Sequence, residues 1–151
     1  MNQHKSRNSI DILLVEDNPG DVRLTIESLK EAKLLNKLHI SSDGEEAMAF
    51  LRREREFKDA PRPDLILLDL NLPRKDGREV LAEIKEDSDL KQIPVVILTT
   101  SNSCEDIQET YNSYANCYIK KPVVLDEFIK VVMSIENFWL CIVQLPPKVF
   151  R

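Results

Sequence analysis

Five short apolar runs, each followed by polar residues and separated from the next by an amphipathic stretch, constrain this chain more than any other feature. The clearest run spans Pro63 to Asp69, reads Pro-Asp-Leu-Ile-Leu-Leu-Asp, and continues into Leu-Asn71-Leu-Pro73. A run so short and branched is expected to be a strand buried on both faces. The first run, from Ile10, likewise ends at Val15 on the pair Glu16-Asp17. Leu38 to Ser41 reads as a weak short strand, Pro94 to Leu98 as a strong one running into Thr99, and Cys117 to Ile119 as a short one ending at Lys120-Lys121-Pro122. The intervening stretches carry helix signals. Asn18-Pro19 opens one, with Val22, Ile26 and Leu29 at helical spacing. Asp76-Gly77 precedes a second, Ser103-Cys-Glu-Asp106 resembles a capping box, and Leu125 to Ile135 forms a last amphipathic stretch. The charged stretch Arg52 to Lys58 reads as a solvated helix end, and His4 and His39 as surface residues.

Strands alternating with helices imply parallel pairing with right-handed crossovers and helices on both faces. The predicted fold is α/β: a doubly wound, five-stranded parallel sheet in the order 2-1-3-4-5, the flavodoxin-like arrangement. In such a sheet, ligands bind in the crevice at the carboxyl ends of the strands. That order delivers Asp17 and Asp69 to one crevice, with Thr99 and Lys121 on the same edge.

Bulk properties fit this picture. A chain of 151 residues is long enough for one domain with a proper core. A net charge of -5 disfavours nucleic acid and anionic membrane surfaces. No apolar stretch approaches the ~20 residues of a spanning helix. Cys104, Cys117 and Cys141 are widely spaced without a CxxC pair, which argues for a reducing, cytoplasmic setting and against a disulfide framework or zinc site. The expected organisation is a polar segment at 1–9, one domain at 10–140 and an extension at 141–151, too short to be an effector module.

Two unit charges roughly 4 Å apart repel by about 4 kcal/mol at an effective dielectric near 20, so clustered carboxylates call for a cation. Asp17, Asp69 and the backbone carbonyl of Asn71 form a hard oxygen set suited to Mg2+, with Glu16 acting through a water. A carboxylate at such a metal is a competent nucleophile toward phosphorus. Lys121 offers a point charge, and Thr99 a hydroxyl, for phosphoryl oxygens. Taken singly, each of these residues has a blander reading, as a solvated loop residue, a helix cap or a strand-end hydroxyl. Their recurrence at the carboxyl ends of four successive strands is what favours chemistry.

At these residues the chain resembles the receiver domain of two-component response regulators, from about Ile10 to Trp139. The resemblance implies that Glu16 and Asp17 are the acidic pair, Asp69 the phosphoacceptor, Thr99 the switch hydroxyl and Lys121 the conserved-type lysine of the family pattern. It also implies a cis proline at Pro122 and a switch aromatic at Tyr118. The segments around Asp69 to Pro73, Asp76 to Leu81, Leu98 to Ser101 and Phe138 to Leu140 further resemble the cyanobacterial phytochrome response regulators. One departure is Thr100, where the family usually has a smaller residue; a bulkier side chain there narrows access to the phosphoryl group.

The resemblance implies phosphoryl transfer from a histidine of a sensor kinase, phytochrome-like, onto Asp69 with Mg2+ bound, and a response through the fourth helix, fifth strand and fifth helix. Output is expected through protein contacts, with no nucleic-acid or membrane partner. The apolar cluster around Phe138, Trp139 and Leu140 points to a homodimer through the last helix and its extension. The chain is expected to be a phosphoacceptor signalling protein rather than an enzyme acting on a separate substrate. Two other classes fit less well. A flavodoxin-like electron carrier needs a phosphate loop after strand one, where Glu16-Asp17 stands, and the chain has only three glycines. An aspartate-nucleophile phosphatase needs a second acid two residues past Asp69, where Asn71 stands.

Overall fold

The strand from Leu65 to Leu68 (β3) is buried at every position and lies at the centre of the sheet. A computed structural model describes residues 9–30, 35–100 and 103–121, together with the helical residues Lys130 and Ser134. On one side β3 pairs with Ser9–Val15 (β1), which pairs in turn with Leu35–Ser41 (β2). On the other side it pairs with Val95–Thr99 (β4), and β4 with Cys117–Lys120 (β5). All four pairings are parallel and the order is β2-β1-β3-β4-β5, as the alternating sequence pattern predicts.

The pleat sends alternate side chains to opposite faces, and both faces are covered. Leu13, Val15, Ile66, Leu68, Val95 and Ile97 pack with Gly44–Arg52 (α2) and Gly77–Glu86 (α3). Ile12, Leu14, Leu65, Leu67, Val96 and Leu98 pack on the other face with Leu29 of Pro19–Lys30 (α1). Burial on both sides is why these runs are continuously apolar. Each fully buried side chain of this kind contributes roughly 1.5–3 kcal/mol. Among the described residues no helix is long and apolar enough to cross a membrane.

Three local readings need correction. β2 is not a short strand: it pairs with β1 along its whole length, from Ser9↔Leu35 to Val15↔Ser41. Its polar residues hid it, because an edge strand with one open side needs fewer apolar positions. The charged stretch after α2 is not a helix end, since α2 stops at Arg52 and Arg53 turns left-handed (φ 55°, ψ 46°). The chain then forms a 3₁₀ turn at Arg55–Phe57, whose Phe57 ring meets Phe50 edge-on at 5.5 Å. His39 is not simply a surface residue: its Nε2 lies 3.0 Å from Asp11 Oδ1, and its ring stacks at a tilt on Phe50.

Candidate phosphoacceptor site

Each strand reaches the crevice by extending its backbone ladder one residue past the strand itself. The Glu16 N–H donates to the Ser41 carbonyl at 2.9 Å, and the Asp69 N–H to the Val15 carbonyl at 3.0 Å. The Lys121 N–H donates to the Thr99 carbonyl at 2.6 Å. Strong apolar runs thus fix the sheet, and the ladder then sets three charged residues at its carboxyl edge.

Those residues converge. Glu16, Asp69, Thr99 and Lys121 are all buried, whereas Asp17 is exposed. Carboxylate oxygens of Glu16, Asp17 and Asp69 lie within 4.8 Å of one another. Oxygens around Mg2+ sit ~2.1 Å from the ion, so opposite ligands are roughly 4 Å apart, and this set fits one small hard cation directly or through a water. Asn71 is exposed two residues past Asp69, with its N–H 3.5 Å from Asp69 Oδ1.

The Lys121 ammonium reaches into the same cluster. It is bonded to Glu16 Oε1, lies 2.7 Å from Asp21 Oδ2, and lies 3.3 Å from Asp69 Oδ2. Burial by itself pushes the lysine's pKa down, but hydrogen bonds to Asp21 and Glu16 outweigh that and hold it above its usual value. Burial likewise pushes the Glu16 carboxyl up to about 7; the bond to Lys121 opposes this and the charge of Asp69 adds to it. A buried carboxylate beside a second one is thus short of positive charge.

The loop from β3 to α3 is clamped from three sides. A Cβ on Gly77 would lie 2.1 Å from the Asp69 carbonyl oxygen, so only glycine lets α3 start this close to Asp69. The Gly77 N–H donates to the Leu70 carbonyl at 2.8 Å. Gly44 meets Lys75 with the same closeness, 2.0 Å from its carbonyl oxygen to a built Cβ. Arg74 reaches Asp43, the residue capping α2, at 3.3 Å, and Lys75 pairs with Glu83. At the helix start, the Asp76 carboxylate accepts the Arg78 N–H at 3.0 Å, and Glu79 reaches back to the Asp76 N–H, closing a capping box.

The expected capping box at Ser103 is half present. Ser103 Oγ accepts the Asp106 N–H at 3.0 Å, but the Asp106 carboxylate is engaged elsewhere. It takes a two-pronged bond from the Arg78 guanidinium, at 2.8 Å and 2.7 Å, tying α3 to Cys104–Asn112 (α4). Asp shortens the arm that Glu would use to reach its own cap, and here that arm meets Arg78.

Tyr118 is half-buried against the core cluster that contains α2 and α3, and its N–H donates to the Tyr111 hydroxyl at 3.1 Å. Thr100 stands exposed just past β4. Pro122, Phe138, Trp139 and Leu140 lie outside the described residues. Sequence reasoning missed Asp21, Gly77 and the Arg78–Asp106 pair. Asp21 announces itself only as an acid in a helix first turn, and Asp76-Gly77 only as a turn; their partners are distant in sequence.

This fold, with acids and a lysine gathered at the carboxyl edge of the sheet, is that of a receiver domain, and the comparisons agree. The model for the response regulator receiver domain matches residues 12–133, so the chain belongs to that family and is a signalling protein. Among its relatives is the response regulator Rcp1 of Synechocystis sp., 54% identical over 135 residues, which cover 89% of this chain and 92% of Rcp1. The Mn2+-bound form of Rcp1 superposes with a TM-score of 0.90 at 53% identity, covering 91% of this chain and 99% of that one. The phosphorylated cyanobacterial phytochrome response regulator RcpA gives a TM-score of 0.90 at 52% identity, covering 92% of this chain and 99% of that one. The protein is therefore a homologue of cyanobacterial phytochrome response regulators, with an acidic cluster of the kind that receiver domains use for a divalent metal.

Proposed function

We propose that Asp69 accepts a phosphoryl group from a phosphohistidine of a phytochrome-type sensor kinase in the cytoplasm. A carboxylate oxygen of Asp69 attacks phosphorus, the P–N bond breaks, and the kinase imidazole leaves, forming an acyl phosphate. Asp17, Asp69 and the Asn71 carbonyl would hold Mg2+, with Glu16 behind a water. When bound, that ion offsets charge on the transferring group. Lys121 neutralises one phosphoryl oxygen and the Thr99 hydroxyl hydrogen-bonds another. Drawing Thr99 inward leaves room for Tyr118 to turn in, and the resulting population shift is read on α4, β5 and the helix that follows. Output then passes through protein contacts, with a second copy of the chain docking through Phe138, Trp139 and Leu140.

The observation that carries this reading is the meeting of Asp69, Glu16, Asp17 and Lys121 at one sheet edge. The experiment is incubation with Mg2+ and acetyl phosphate, followed by mass spectrometry. One added phosphoryl group is expected on the native chain and none on Asp69→Asn. Sustained labelling of that variant rejects the assignment.

A further inference from the structure

Lys121 has more partners than a phosphoryl-sensing lysine needs. Its side chain is 4% exposed, and its three ammonium donors face three carboxylates, those of Glu16, Asp21 and Asp69. The partners differ in kind. Glu16 and Asp69 also belong to the group of oxygens that suits a cation, together with Asp17. Asp21 stands apart: among the described residues it meets the lysine but is no member of that oxygen group. Two carboxylates therefore face both cations, Asp17 faces the metal alone and Asp21 faces the lysine alone.

Asp21 is also well fixed. It sits in the first turn of α1, where a carboxylate is favoured by the helix dipole. Its N–H is held by Asn18 Oδ1 at 3.0 Å, and its carbonyl accepts the Thr25 hydroxyl at 2.8 Å. Its contact with Lys121 at 2.7 Å is shorter than that of Asp69 at 3.3 Å. The ammonium is thus held between Glu16 and Asp21 and stands off from Asp69.

We infer that Asp21 is a positioning residue: resting on the receiver reading above, it holds the Lys121 ammonium toward α1 and away from the Asp69 carboxylate, which the divalent cation also uses. An ammonium freed from Asp21 keeps its bond to Glu16 and moves closer to Asp69, where its charge repels the metal. Once a phosphoryl group sits on Asp69, its oxygens compete for the same ammonium and draw it away from Asp21.

The test is calorimetric titration of the full chain with MgCl2, comparing native protein, Asp21→Asn, Lys121→Gln and the double variant. Asp21→Asn should weaken Mg2+ binding by about three- to tenfold, since a single charge is redistributed close to a divalent ion. In the Lys121→Gln background the same change should alter affinity by less than about twofold, because the residue through which Asp21 acts is gone. Unchanged affinity in Asp21→Asn, or an equal loss in both backgrounds, overturns the proposal; the latter would mean that Asp21 acts by its own charge. Asp21→Glu keeps the charge and is the second variant if the Asn form fails to fold by circular dichroism. It should retain affinity within about twofold of native, and a loss of about tenfold overturns the proposal. Failure of the native chain to bind Mg2+ at all would instead sink the receiver reading.

Discussion

The two ends of the sheet both gather polar side chains, yet they use them in opposite ways. At the amino ends of the strands, polar side chains satisfy backbone. Asp64 Oδ2 accepts the Asp11 N–H at 2.9 Å, and Asn116 Oδ1 accepts the Val95 N–H at 2.8 Å. Lys85 donates to the carbonyls of Lys91 and Ile93 at 2.9 Å and 3.0 Å. The first two fasten neighbouring strands where the ladder begins, and Lys85 ties α3 to the segment that leads into β4. At the carboxyl ends the backbone already completes its own ladder, and charged side chains are left to satisfy one another. Glu16, Asp21 and Asp69 face the ammonium of Lys121 and Asp17 stands beside two of them, so among the described residues this cluster sets four acids against one ammonium. A polar side chain is structural when its partner is backbone. It is poised for chemistry when its partners are other charges with the count unbalanced.

That contrast can be broken by experiment, and the largest effect should come from the acceptor itself. Asp69→Asn should abolish phosphoryl uptake while unfolding at a denaturant concentration close to that of the native chain. Next comes Gly77→Ala, whose methyl group has no room beside the Asp69 carbonyl. It should cost about 3 kcal/mol in urea unfolding, and it should slow phosphoryl uptake because relief of the clash displaces Asp69. Full stability in that variant would mean that α3 starts farther from β3 than described here. At the opposite end, Asn116→Ala leaves the buried Val95 N–H without its acceptor and should cost about 1–3 kcal/mol. Its phosphoryl uptake should stay within about twofold of native, since additivity holds for distant sites. A large loss of uptake there would erase the distinction between the two ends. The smallest effect should be Ser41→Ala. The Ser41 hydroxyl is buried and has no hydrogen-bond partner among the described residues, so its removal should be neutral or stabilising by up to about 1 kcal/mol. Clear destabilisation of the variant in urea would reveal a partner for that oxygen.

Much of this arrangement is legible in the sequence, for specific reasons. The strands β1, β3 and β4 are buried on both faces, so their apolar residues run together and their ends are sharp. Those sharp ends put Glu16, Asp69 and Thr99 on one edge from the sequence alone. β2 was underestimated because Asn36, Lys37 and His39 interrupt its apolar pattern, although its backbone pairs in full with β1. The turn after α2 was misread because a left-handed arginine at 53 gives no glycine signal.

The sequence by itself determined the alternation of elements, hence the parallel sheet, and which residues end each strand, because both follow from short-range periodicity. Only the tertiary structure decided that Asp21 meets Lys121, that Arg78 grips Asp106, and that Gly77 lies against the Asp69 carbonyl. Those meetings join residues from 8 to 100 positions apart. They depend on how each helix is tilted and seated against the sheet, and that is set by packing of the whole core rather than by any local pattern.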